Sequence, residues 1–147
     1  MRNNALLALF CLFFNSHSIS AEINISGKQW KTYDLPNRFP QTIILSKALK
    51  PVYFETGENI DGLDEFTNTP SKSNLDEDDV EAINTIILSK KFNFLIDDFS
   101  NSEDKYLLIN ISISKDIFNC EPCSIQKKYL AKTLMKGVRV LDVNLTH

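Results

Sequence analysis

The segment from Tyr106 to Leu145 constrains this chain more than any other. In YLLINISIS the side chains of Leu107, Ile109, Ile111 and Ile113 fall on one face, and Asn110, Ser112 and Ser114 on the other. That two-residue period marks a β-strand with one face turned to a core. A helical stretch, SIQKKYLAKTLMKG, follows and is stopped by Gly137, and VRVLDVNL begins at once as the next strand. Strand, helix and strand with so little connecting chain form a right-handed crossover between parallel strands. At the strand-to-helix junction stands a Cys-x-x-Cys, Cys120-Glu121-Pro122-Cys123.

The first residues have the form of a secretory leader: Arg2 charges the start, an apolar stretch runs from Ala5 to Phe14, and Ser18, Ser20 and Ala21 mark a cleavage end. The apolar stretch is about half of what spans a bilayer, so no transmembrane span is expected once residues 1–21 are removed. A mature chain of 126 residues remains, enough for one domain, and without Arg2 its formal charge moves from −3 to −4. The lysines are dispersed and the densest charge run, Asp76 to Asp79 with Glu81, is acidic, so nucleic acid is not an expected partner.

After processing only Cys120 and Cys123 remain, an even pair in an oxidising compartment, and a disulfide between them is expected. The mature chain has a single histidine, the terminal His147, and no second cysteine pair. That scarcity disfavours a zinc site, and equally a serine or cysteine nucleophile activated by histidine. No metal and no cofactor are expected. Three Asn-x-Ser/Thr triplets occur, at Asn24, Asn110 and Asn144, and Asn110 lies inside the best strand, where a glycan does not fit.

Upstream, strands are expected around Ile23–Ile25, at Trp30–Tyr33 and at Pro51–Glu55, with a short apolar run at Thr42–Leu45. Residues 57–74 carry Gly, Asn, Asp, Ser and Pro70 and read as a long loop. A helix is expected from about 75 to 91, capped at Ser73-Asn74 and closed by Lys90-Lys91, with Val80, Ile83, Ile86 and Ile87 on its apolar side. Its acidic run is explained by the positive helix start, and the alternating pattern of a calcium loop is absent. Phe92, Phe94, Leu95, Ile96 and Phe99 read as core or as an extra strand edge. On the final helix Ile125, Tyr129 or Leu130, and Leu134 form the apolar side, and Lys128, Lys132 and Lys136 the solvated one.

From residue 51 the order is strand, loop, helix, strand, helix, strand. In this order, with VYFETG followed by LDEDDVEAINTIIL and a helix ending in Met135-Lys136-Gly137-Val138, the chain resembles the OmpA-like, peptidoglycan-associating domain of bacterial envelope proteins. The resemblance covers roughly residues 45–147 and implies an α/β (α+β) fold: a single βαβαβ domain with two helices packed on a small sheet. On that division, residues 1–21 are leader and 22–44 an N-terminal extension. By resemblance Asp116 stands where the family's ligand-binding aspartate stands, and Lys127, with Lys128 beside it, where its arginine stands. The Gly-His-Thr that precedes the aspartate in that family is replaced here, and an ammonium offers a point charge where a guanidinium offers a two-pronged grip.

The Cys-x-x-Cys at a helix start also resembles the reactive centre of thioredoxin-like oxidoreductases. Only 24 residues follow Cys123, however, and no proline follows Pro122 to face the pair. The expectation is therefore a periplasmic or secreted, envelope-associated, non-catalytic binding or structural module. Its expected ligand-binding residues are Asp116, Lys127 and Lys128, its partner peptidoglycan or an envelope protein. A thiol-disulfide oxidoreductase using Cys120 and Cys123 is the alternative.

Overall fold

A computed structural model describes residues 21–68, 75–133 and 135–147. The expected leader up to Ser20, the expected cap at Ser73-Asn74 and Leu134 lie outside them. The described chain is a mixed α/β domain: β1 (Ala21–Ser26), α1 (Gly27–Trp30) running into a 3-10 turn (Lys31–Tyr33), β2 (Gln41–Ser46), β3 (Pro51–Thr56), α2 (Ile60–Asn68), α3 (Glu77–Ile87), α4 (Lys90–Ser100), β4 (Tyr106–Ile113), α5 (Glu121–Lys132) and β5 (Val138–Thr146).

The strands form one five-stranded sheet in the order β1-β5-β4-β2-β3. Strands β1, β5 and β4 run parallel, while β2 runs antiparallel to both β4 and β3. The crossover read from the sequence is present: β4 and β5 are parallel neighbours joined by α5, with Ile109 opposite Leu141 and Ile111 opposite Val143. Strand β2 lies between β3 and β4, and β1 adds a parallel edge beside β5, so residues 21–46 contribute two strands to the same sheet.

Helices cover both faces. On the first face Ile25, Ile43, Leu45, Leu107, Ile109, Ile111, Leu141 and Val143 meet Trp30 and Tyr33, then Ile83 and Ile86 of α3, and Phe92, Ile96 and Phe99 of α4. On the second, Ile44, Tyr53, Leu108, Val138 and Val140 meet Leu63 and Phe66 of α2 and Leu130 of α5. The row Leu107, Ile109, Ile111 and Ile113 faces one core as its alternation dictates. Strand β4 is also covered on its other side, where Asn110 and Ser112 are buried.

Several elements differ from the sequence reading. Trp30–Tyr33 is helical, because Ser26 caps α1 by accepting from the Gln29 N–H. The stretch read as a loop over 57–74 contains α2, whose Phe66 ring is wedged edge-on between Tyr53 and Tyr106 at centroid distances of 5.8 and 5.2 Å. The helix expected over 75–91 ends at Ile87. It is capped by Asp76, whose carboxylate accepts from the Asp79 N–H at 2.7 Å, with Glu77, Asp78 and Asp79 in the first turn.

At Ser89 the backbone is extended (ψ 142°), and Lys90 and Lys91 open a new helix, α4, instead of closing the old one. Of the two readings of the apolar residues here, core holds for three of them and a strand edge for none. Phe92, Ile96 and Phe99 recur at helical spacing and are buried, while Phe94 is 79% exposed. Lys47 holds the end of α4 by donating to the carbonyls of Phe99 (2.8 Å) and Ser102 (2.7 Å), where the helix dipole favours a cation. Helix α5 begins three residues before the expected Ser124 and ends at Lys132, with Gly137 at φ +73° turning the chain into β5.

Two measurements check this arrangement. Phe99→Ala is expected to lose about 3–5 kcal/mol in urea unfolding, and Phe94→Ala to stay within about 0.5 kcal/mol; equal losses would contradict the helix and its orientation. Tyr129 donates to Asp64, tying α5 to α2, and burial, then the Asp64 hydrogen bond and charge, raise its phenol above the usual 10.0. The native state therefore keeps this proton to higher pH than the unfolded chain does. Its contribution is fully present below pH 10 and is lost as pH rises through the native value. Tyr129→Phe is expected to flatten the fall of stability above pH 10.

Candidate functional site

Helix α5 lies over the second face of the sheet, and beneath its first half that face is polar. The strand register aligns Glu22, Asp142, Asn110, Thr42 and Glu55 in one row across all five strands. The next row holds Asn24, Asn144 and Ser112. Alternation explains why they share a face: each is one residue from a side chain of the first core.

Gln126 meets this row from above. Its Nε2 donates to Thr42 Oγ1 and to Asn110 Oδ1, both at 2.8 Å, and its Oε1 accepts from the Asn59 N–H at 3.1 Å. Asn110 in turn donates to Asp142 Oδ1 at 2.9 Å. Gln126, Thr42 and Asn110 are fully buried, so each of these bonds replaces one that water would supply. Toward the edge, Ser112 donates to Asn144 Oδ1 at 3.1 Å, Asn144 donates to Glu22, and Glu22 pairs with Lys127 at 3.7 Å. With Asn110 at 0% exposure, its Asn-x-Ser triplet is closed to a glycan, as expected.

The C-terminal end of β4 leads into the turn that carries the remaining site residues. Ser114 N–H donates to the Leu145 carbonyl at 2.9 Å, and the Ser114 carbonyl accepts from the N–H groups of Ile117 and Phe118. Residues 115–119 are all exposed. The Asp116 carboxylate lies 3.5 Å from Ser114 Oγ, and its carbonyl lies 3.3 Å from His147 Nε2. The turn ends where the Cys120 N–H donates to the Phe118 carbonyl at 2.9 Å, and Cys120 becomes the cap of α5.

Cys120 and Cys123 are joined in a disulfide, the pairing expected from the sequence. Cys120 Sγ also accepts from the Cys123 N–H at 3.2 Å, and Pro122 occupies the first turn, where a missing N–H costs nothing. The pair is almost covered, Cys120 at 7% and Cys123 at 4% exposure, whereas around it Phe118 is 63% exposed and Ile117 and Ile125 are 39% exposed.

The three expected binding residues are thus distributed over one end of the domain. Asp116 is in the exposed turn, Lys127 is paired with Glu22 across α5 and β1, and Lys128 points to solvent. No hydrogen bond or ion pair joins Asp116 to either lysine among the described residues. Sequence reasoning missed Gln126 and its row. The available signal was Asn110 and Ser112 on the second face of a strand that has neighbours on both sides.

A separate hollow of about 710 Å³ lies between residues 32–37 and α3, lined by Asp34, Asp78, Asp79 and Glu81. Burial, then the charge of Asp76, raises the Asp79 pKa above its ordinary value. Among the described residues no group of three or more His, Cys, Asp and Glu side chains is placed to hold a metal, and no helix is long and apolar enough to cross a membrane. The chain matches no protein-family model, no curated protein and no solved structure.

Gln126→Leu keeps the volume near α5 but strands Thr42, Asn110 and the Asn59 amide without their partner. Each buried unsatisfied group costs about 1–3 kcal/mol, so a loss of about 3 kcal/mol in urea unfolding is expected. Lys127→Ala, which removes a half-exposed ion pair, is expected to cost about 1 kcal/mol or less. A neutral Gln126→Leu would show that the network is not a structural tie.

Proposed function

We propose that this chain is an envelope-associated binding module of the periplasm or the secreted space, and that it holds its ligand at the 115–119 turn and the first turns of α5. The observation that carries the reading is the disulfide at the base of that turn. A two-cysteine bond persists in oxidising compartments and is kept reduced in the cytosol, so it argues for the compartment. It also fixes the stem of a turn whose own side chains all face water.

The resemblance to the OmpA-like domain supplies the ligand class, the peptide part of peptidoglycan. Asp116 is exposed and offers a carboxylate to a ligand ammonium. For a ligand carboxylate, Lys128 is the better placed lysine, because Lys127 is engaged by Glu22. Both lie on rigid supports: the turn is anchored to β5 through Ser114 and Leu145, and α5 is anchored to the sheet through Gln126. Contact between charged groups of this kind contributes about 1.5–3 kcal/mol.

Sedimentation with purified peptidoglycan tests the proposal. Asp116→Ala is expected to weaken binding roughly tenfold or more, since 1.4 kcal/mol corresponds to a factor of ten. Lys128→Ala is expected to weaken it by more than Lys127→Ala. Absence of sedimentation of the intact chain, or equal binding by Asp116→Ala, would sink the peptidoglycan reading.

A further inference from the structure

The outer face of α4 has no role in the fold or in the binding reading. Phe94 stands there 79% exposed, on a helix whose Phe92, Ile96 and Phe99 are buried against the sheet. We propose that this face is a self-association surface, on which a second copy of the chain packs its own α4 antiparallel, about a two-fold axis level with Phe94. The proposal does not rest on the peptidoglycan reading, because α4 covers the first face of the sheet and α5 the second.

The surface is one stripe of a single helix. In KKFNFLIDDFS, Lys90 and Lys91 lie one turn before Phe94, and Asp97 and Asp98 one turn after it, so all five share one side of α4. All five are exposed. Lys90, Lys91 and Asp97 enter no ion pair among the described residues, and Asp98 meets Arg139. This order of charges opposes the helix that carries it: the positive end of the dipole receives two cations and the negative end two anions. Helix α3 has the stabilising order, with Glu77, Asp78 and Asp79 in its first turn.

An antiparallel partner turns that internal mismatch into complementarity. Each of the four charges stands about one turn from the axis, so Lys90 of one copy comes opposite Asp97 of the other, and Lys91 opposite Asp98. The two dipoles then run in opposite directions, and the two Phe94 rings meet at the centre, where each loses its exposure to water. The contact is the same patch on both copies, so it closes as a dimer. An anionic membrane surface fits less well, since Asp97 and Asp98 would oppose what Lys90 and Lys91 attract. With 11 residues α4 is about 16 Å long. One such helix pair falls short of the roughly 1,200 Å² of a stable interface, so the dimer is weak and sensitive to salt.

Sedimentation equilibrium of the mature chain at roughly 1 mM and low salt is expected to show monomer and dimer in exchange, in the affinity range of a contact below standard size. Phe94→Ala, which leaves the stability of the fold nearly unchanged, is expected to weaken the dimer about tenfold or more. Lys90→Asp and Asp97→Lys each place a charge that the helix dipole favours, and a thermal melt establishes that both variants are folded. Each alone is expected to weaken self-association about tenfold or more, because like charges then face each other across the axis. An equimolar mixture of the two is expected to recover dimer as a mixed pair, in which every 90–97 contact is again between opposite charges. A wild-type chain that stays monomeric at this concentration would overturn the proposal. A dimer indifferent to Phe94→Ala, or a mixture that recovers nothing, would overturn the assigned face and its antiparallel pairing.

Discussion

Strand β4 is buried on both sides, but only one of its sides is apolar throughout. Leu107, Ile109 and Ile111 fill the core under α3 and α4, while Asn110 and Ser112 are carried beneath α5. Backbone pairing with β2 and β5 satisfies the strand's main chain and does nothing for those side chains. A helix crossing above them must bring hydrogen-bonding groups to one place, and Gln126 does so with all its donors and its acceptor engaged. The same residue reaches the start of α2 through Asn59, so both helices of this face depend on its position.

That constraint fixes where the far end of the domain can lie. With Gln126 held over Thr42 and Asn110, the first turn of α5 is held at the C-terminal end of β4, and the 115–119 turn must close the short distance between them. The disulfide and the Ser114–Leu145 bond make that turn a defined stem with an exposed tip. Side chains of that turn are supported by regular structure on either side, β4 before it and α5 after it.

The two helices that the sequence concealed were concealed for different reasons. Helix α4 contains FNFLI, a short run of large apolar side chains broken only by Asn93, which imitates a strand. Only the packing of Phe99 with Phe92 and Ile96 reveals the helical period, and Phe94 is the residue that alternation misassigns. Helix α2 has just two buried apolar side chains, Leu63 and Phe66, among turn-forming residues. Its stability comes from contacts distant in sequence, Phe66 between Tyr53 and Tyr106 and Asp64 with Tyr129, and no local pattern reports those.

By itself the sequence determined the parallel crossover of β4, α5 and β5, a strand at Pro51–Glu55, the acidic start of α3 and the pairing of Cys120 with Cys123. These follow from local periodicity, from helix-end electrostatics and from the three-residue spacing of the two cysteines. Only the tertiary structure decided that β2 lies inside the sheet between β4 and β3 and β1 at its edge, that Gln126 is a tie rather than a surface residue, and that Lys127 is held by Glu22. The physical reason is separation along the chain. Gln126 and Thr42 are 84 residues apart, and Lys127 and Glu22 come from opposite ends of the domain. Polar side chains acquire a role only when folding has chosen which distant groups they face.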